Sequence, residues 1–194
     1  MTNHNLKMTA TKPPIPKQFA NVNSFEKWAN RQESGYEFAN KKIIEKTMIK
    51  NYELLIIFWL NKIFRQTKGF KQGGELISEV GVKLPKGNFR IPDLAYFTSQ
   101  QIESAAHGQY PIPALAIEFL SDSESFADVE NKINDYFESG VQVVWYINPL
   151  NESIYCYRSA KQIEYLHGDD RCSASPLMPD FEFTVKDIFK KTIN

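Results

Sequence analysis

Three ionisable residues stand where their neighbours give them no obvious reason to be. Glu118 lies in the middle of Ala114-Leu115-Ala116-Ile117-Glu118-Phe119-Leu120, an otherwise apolar run. An ionised carboxylate in such a strand is costly unless it is paired or metal-bound. Strand alternation puts 114, 116, 118 and 120 on one face, where the two alanines leave a hollow beside the carboxylate, and Leu115, Ile117 and Phe119 on the packed face. Asp93 follows Pro92 near the start of a second strand-like run, where proline disturbs a ladder least. Two carboxylates on neighbouring strands suit Mg2+, which takes oxygen ligands and keeps several waters. The competing readings are a strand-end salt bridge for Glu118 and an ordinary Pro-Asp turn for Asp93.

Lys132 is the third. Between residues 101 and 150 there are eight acids, and Lys132 is the sole basic residue. It follows Val129 by three and precedes Tyr136 by four, so its ammonium sits at the edge of an apolar helical stripe. It can lean toward Glu118 and orient a nucleophile or stabilise developing charge. The competing reading is an i to i+4 pair with Asp128.

The elements that must position these groups follow from periodicity and punctuation. Ser24 is expected to cap a helix to about Gln32, ended by Gly35. A hairpin joins Tyr36–Phe38 to Lys42–Lys46. Met48–Phe64 contains no Gly or Pro and is apolar on all sides at its centre, which predicts a buried helix. Glu75–Ile77, Glu79–Leu84 and Arg90–Phe97 read as an antiparallel meander, followed by a loop through Pro111 and Pro113. The strand of residues 114–120, a helix over Ser125–Glu138 capped by Ser121-Asp122-Ser123 and ended by Gly140, and the strand of residues 141–147 predict a right-handed crossover between parallel strands. A late hairpin (Ser153–Arg158 with Gln162–Leu166) and a short helix over Val185–Lys190 complete the chain.

The chain has 194 residues, enough for one domain with its own core. Residues 1–23, polar with Pro13, Pro14 and Pro16, read as a tail, and 24–194 as the domain. The zero formal charge is a cancellation: residues 1–100 carry 16 Lys and Arg against 8 acids, and residues 101–194 carry 7 against 15. The densest basic patch, Lys62, Arg65, Lys68 and Lys71, is a candidate nucleic-acid contact, and also suits the negative end of a helix dipole. Cys156 and Cys172 form no Cys-x-x-Cys, three histidines spell no zinc site, and no apolar run approaches bilayer length. With no secretory pattern at the N-terminus, the expectation is a cytoplasmic protein with no membrane partner.

Asp93 after Pro92, Glu118 in its apolar strand, then Lys132, Tyr136 and Gly140-Val141 resemble the Uma2 family of restriction-endonuclease-like proteins, a branch of the PD-(D/E)XK nuclease superfamily. The matching stretches are GVKLPKGNFRIPDLAYF, ALAIEFLSDSESFADVENKINDYFESGVQVVWYINP and SIYCYR, with weaker similarity from Phe25 to Phe189. The resemblance implies an α/β fold, a mixed central sheet flanked by helices, and a Mg2+ or Mn2+ site for phosphodiester hydrolysis of DNA, with a homodimer left open. Carried over, Asp93 and Glu118 become metal ligands and Lys132 the catalytic lysine. The superfamily's usual lysine position, two after the Glu, is Leu120 here. The backbone carbonyl of Phe119 is a further candidate ligand, and Glu37 and Glu79 match acidic positions of the family. Relatives carry a His near the start of the long helix and a Gly in the first hairpin turn; this chain has Lys50-Asn51 and Ala39-Asn40.

The expected activity is therefore metal-dependent endonuclease cleavage. Two alternatives remain open from sequence: a catalytically inactive module of the same fold that binds nucleic acid or protein, and a glycoside hydrolase using Asp93 and Glu118 as an acid and base pair.

Overall fold

The computed structural model describes residues 15–16, 18–121 and 124–193; the tail expected over 1–23 falls largely outside them. In chain order the elements are α1 (Val22–Ala29), β1 (Tyr36–Ala39), β2 (Lys42–Glu45), α2 (Glu53–Phe64), α3 (Lys68–Lys71), β3 (Glu75–Ser78), β4 (Val82–Lys83), β5 (Phe89–Arg90), β6 (Leu94–Phe97), α4 (Ser99–Ala106), β7 (Leu115–Phe119), α5 (Phe126–Glu138), β8 (Val143–Asn148), β9 (Ser153–Ser159), β10 (Gln162–His167), β11 (Arg171–Ala174), β12 (Met178–Thr184) and α6 (Val185–Ile188).

The central sheet has six strands in the order β10-β9-β8-β7-β6-β3. Its one parallel pair is β7 with β8, joined through α5, and the other neighbours are antiparallel. This is the expected crossover inside a mixed sheet. Both faces are covered, which explains why β7 and β8 are almost wholly apolar. On one face Leu115, Ile117, Phe119, Trp145 and Ile147 pack with Ile56, Leu60 and Phe64 of α2 and with Phe181 and Phe183 of β12. On the other face Ala116, Val144 and Tyr146 pack with Val129, Ile133 and Tyr136 of α5. Each of these large apolar side chains contributes about 1.5–3 kcal/mol relative to exposure.

A second sheet, β2-β1-β5-β4, is antiparallel and carries α1 on an aromatic cluster of Phe25, Tyr36, Phe38 and Phe89. Phe19, within the segment read as tail, packs its ring 5.6 Å from Phe25. The expected meander is thus two structures. Arg90–Phe97 breaks at Ile91-Pro92-Asp93, so β5 belongs to the small sheet and β6 to the large one. Proline has no N–H to give to either ladder, and the crossing point falls where it costs least.

Other boundaries also move. Asn21 caps α1 in a capping box, with Ser24 as its reciprocal partner rather than as the cap. The long helix begins at Glu53, and Leu54 and Phe58 are 57% and 38% exposed, so it buries one side only. The loop expected after Phe97 contains α4, held by a Thr98–Gln101 capping box. Ser125, paired with Asp128, caps α5; of the expected cap residues, Asp122 and Ser123 lie outside the described residues. The β11–β12 hairpin had no counterpart in the sequence reading. The turn between β1 and β2 holds Asn40 and Lys41 at φ 51° and 63°, the left-handed pair that a two-residue hairpin requires.

Candidate functional site

Glu118 and Asp93 are brought together by the pairing of β6 with β7. The ladder runs to Leu94 opposite Ile117, and one residue further along each strand stand Asp93 and Glu118. There the Asp93 carboxylate takes over from the backbone: its Oδ2 accepts the Phe119 N–H at 2.6 Å. Its carbonyl accepts the Glu79 N–H at 3.2 Å. Both carboxylates are buried, Glu118 to 1% exposure.

The hollow expected beside Glu118 is occupied by α5. Tyr136 donates a short hydrogen bond to Glu118 Oε1. Lys132, one turn earlier on the same stripe, places Nζ 3.5 Å from Glu118 Oε2, 3.2 Å from Glu124 Oε1 and 3.9 Å from Glu37 Oε1. Asp128 is engaged instead by Ser125 at the helix cap. Glu124 is itself held by the Tyr146 hydroxyl at 3.1 Å.

The small sheet supplies the other wall. Glu37 on β1 is buried, accepting the Ile91 N–H at 2.9 Å and pairing with Arg90 Nη1 at 3.0 Å. Arg90 also reaches Asp135 on α5, at 2.9 Å from Nε and 2.6 Å from Nη2. Lys46, just past β2, extends its ammonium to 2.7 Å from Asp93 Oδ1 and 3.7 Å from Glu118 Oε2. Glu37, Lys46, Arg90, Asp93, Glu118, Glu124 and Lys132 line one cleft of about 230 Å³.

Burial raises the Glu118 carboxyl above its ordinary range, and Lys132 and Lys46 only partly offset it, with Asp93 and Glu37 adding repulsion. Burial works the same way on Glu37, but there Lys132, Arg90, Lys46 and the Ile91 amide outweigh it and the carboxyl is lowered. Burial opposes the charged form of Lys132, yet Glu118, Glu37, Tyr146 and Glu124 hold it well above the usual lysine range, so it is an ammonium. Burial, then Glu118, pushes the Tyr136 phenol up, so Tyr136 remains a donor.

Of the residues singled out from sequence, Asp93, Glu118, Phe119, Lys132 and Glu37 line the one cleft. Glu79 is exposed in the turn after β3, at φ 54°, and does not line it. Nor do Lys62, Arg65, Lys68 and Lys71. Lys62 lies over the Trp59 ring at 4.6 Å, and the Lys68 backbone N–H caps onto Asp180. The basic residues at the cleft are Lys42, Lys46, Lys50, Arg90 and Lys132. Sequence reasoning missed Lys46, Arg90 and the hydroxyl role of Tyr136. For Arg90 there was a signal, a charged residue in an apolar run beside Pro92; for Lys46 there was none.

The Tyr136 contact gives a direct test. Tyr136→Phe leaves Glu118 Oε1 without its donor, which is expected to destabilise the fold by about 1–3 kcal/mol, read as a lowered urea midpoint at unchanged m-value.

The family model Uma2, described as "Putative restriction endonuclease", matches residues 22–186. No curated protein matches the chain. Among solved structures, the chain is similar to the crystal structure of a putative nuclease belonging to DUF820 from Anabaena variabilis, at 21% identity and TM-score 0.74, over 91% of this chain and 98% of that one. At that identity the likeness shows a shared fold. A cryoEM structure of a DrdV–DNA complex aligns at 16% identity and TM-score 0.36, over 74% of this chain and 14% of that one, and carries no argument.

Proposed function

The chain belongs to the Uma2 family, and from that footing we propose that it is a divalent-metal-dependent endonuclease that hydrolyses DNA phosphodiester bonds at the Asp93–Glu118–Lys132 cleft. The observation that carries this reading is the convergence of two buried carboxylates from adjoining strands with a buried ammonium from the crossover helix.

The donor set fits Mg2+ or Mn2+. Among the described residues no group of three or more His, Cys, Asp or Glu is gathered to hold a metal. Two carboxylates completed by water and substrate oxygens are a usual way of holding Mg2+, whereas zinc would want nitrogen or sulfur. That one ammonium lies within 2.7 Å of Asp93 and 3.7 Å of Glu118 supports their addressing a common cation position. A divalent ion at this position supplies Lewis acidity toward a phosphate oxygen and lowers the pKa of a coordinated water.

The chain's own residues do the rest. Tyr136 fixes the rotamer of Glu118 from one side, and the Phe119 amide fixes Asp93. Lys132, pinned by Glu118, Glu124 and Glu37, offers a fixed positive charge to the pentavalent phosphate as its charge develops. Lys42 and Lys50 at the cleft suit contacts to the flanking phosphates.

The test is incubation of the purified protein with supercoiled, linear and branched DNA in Mg2+ or Mn2+. Cleavage is expected with metal, lost in EDTA and lost in Asp93→Ala. Cleavage that persists unchanged in that variant defeats the assignment, and no cleavage of any substrate transfers the weight to a binding module of the same fold. Lys132→Met is expected to slow cleavage roughly a hundredfold while Mn2+ binding is retained, measured by single-turnover kinetics beside calorimetric titration.

A further inference from the structure

Lys46 belongs to neither the crossover helix nor the carboxylate-bearing strands, yet among the ion pairs of the described residues it is the cation that reaches both Asp93 and Glu118. Lys132 touches Glu118 alone of the two, and divides itself among Glu118, Glu124 and Glu37. The backbone of Lys46 is anchored, its N–H donating to the Gly35 carbonyl at 2.9 Å, at a close approach where a side chain on residue 35 would meet the Lys46 β-carbon. Its side chain is 10% exposed at the cleft. A fixed backbone thus carries a four-carbon stem with several rotatable bonds, at the border between the hairpin and the irregular stretch of residues 46–50.

We propose that Lys46 is an exchangeable counter-ion: its ammonium neutralises Asp93 and Glu118 when no metal is bound, and a divalent cation must displace it to bind. This rests on the metal reading above. The two cations want the same oxygens, and their repulsion at such a separation in a partly buried cleft excludes joint occupancy of the contact with Asp93 Oδ1. Without Lys46, the ammonium left against the two carboxylates among the ion pairs of the described residues is Lys132, and it reaches Glu118 but not Asp93. Lys46 therefore lets the site fold in the absence of metal and sets how tightly metal is held. It competes with the cation for the same oxygens.

The test is calorimetric titration of the whole chain with MnCl2, comparing wild type, Lys46→Met and Asp93→Asn. Lys46→Met, of similar length and no charge, is expected to bind Mn2+ at least about tenfold more tightly and to melt at a lower temperature than wild type without metal. Asp93→Asn is expected to lose binding. Binding by Lys46→Met but not by wild type would likewise support the exchange. Unchanged or weaker binding by Lys46→Met, with wild-type binding that depends on Asp93, overturns the exchange and leaves the metal reading standing. Absence of Mn2+ binding in both overturns both. A crystal structure of the wild-type protein grown with Mn2+ tests the exchange without a variant: Lys46 Nζ is expected beyond about 4 Å from Asp93 Oδ1, and a metal-loaded site with that ion pair intact refutes it.

Discussion

Glu118→Gln is expected to reduce DNA cleavage roughly a thousandfold if Glu118 ligates the divalent ion as proposed, since losing a ligand of a Lewis acid forfeits several kcal/mol at about 1.4 kcal/mol per tenfold, while the fold persists. The substitution is nearly isosteric and keeps an acceptor for the Tyr136 hydroxyl. Lys46 retains Asp93 at 2.7 Å and Lys132 retains Glu124 at 3.2 Å, so neither ammonium is orphaned. The direction of the Glu118 titration points the same way. Burial raises its folded pKa despite Lys132 and Lys46, so its stabilising contribution is present below the unfolded value and lost as pH rises through the folded one. Across that window ionisation costs stability that a neutral amide does not incur. Single-turnover cleavage beside urea unfolding at pH 7 checks both halves; a variant that cleaves within tenfold of wild type would remove Glu118 from the reaction.

Arg90→Met is expected to have the largest effect on stability, about 3–5 kcal/mol, because it breaks a buried pair by deleting one partner. Arg90 is 2% exposed and is shared by Glu37 on β1 and Asp135 on α5, so its loss leaves two carboxylates facing each other between the small sheet and the crossover helix. The acid limb of the stability profile should move as well. Although burial alone would raise it, the Glu37 carboxyl is held below its ordinary range by Lys132, Arg90, Lys46 and the Ile91 amide. Its contribution is present above the unfolded value near 4.5 and is lost as pH falls through the lower folded value. Removing Arg90 takes away one of those cations, the folded value rises, and acid unfolding followed by circular dichroism begins at higher pH. A loss under about 1 kcal/mol would mean that the cluster relaxes into water, as exposed pairs do.

Some of this site could be read along the chain because its signals are local. A charge inside an apolar strand, a proline before an acid and a lysine at the edge of a helical stripe each violate a pattern only a few residues long, and Glu118, Asp93 and Lys132 do meet. The hollow at Ala116 was legible too, although Ala114 packs on the opposite face and what fills the hollow, Tyr136 and its hydroxyl, depends on where α5 docks. The crossover from β7 through α5 to β8 followed from alternation, caps and the handedness of such connections. The all-round apolar centre of α2 did not reveal that one side of it faces outward, because composition carries no information on what packs against a helix.

Local pattern thus determined the crossover, the first and late hairpins, the long helix and the three residues whose chemistry is out of place in them, but not α3, α4 or the β11–β12 hairpin. Only the tertiary structure decided that Arg90–Phe97 passes from one sheet into another at Pro92, which swings the first hairpin over the carboxylates. It also decided that Lys46, 47 residues from Asp93, supplies the cation between them, while the conspicuous basic run from Lys62 to Lys71 faces elsewhere. The physical reason is that charge is long-ranged in space but unpatterned in sequence. An exposed-looking lysine at a hairpin end and a buried counter-ion have the same local sequence, and they differ only in what the rest of the chain brings within 3 Å.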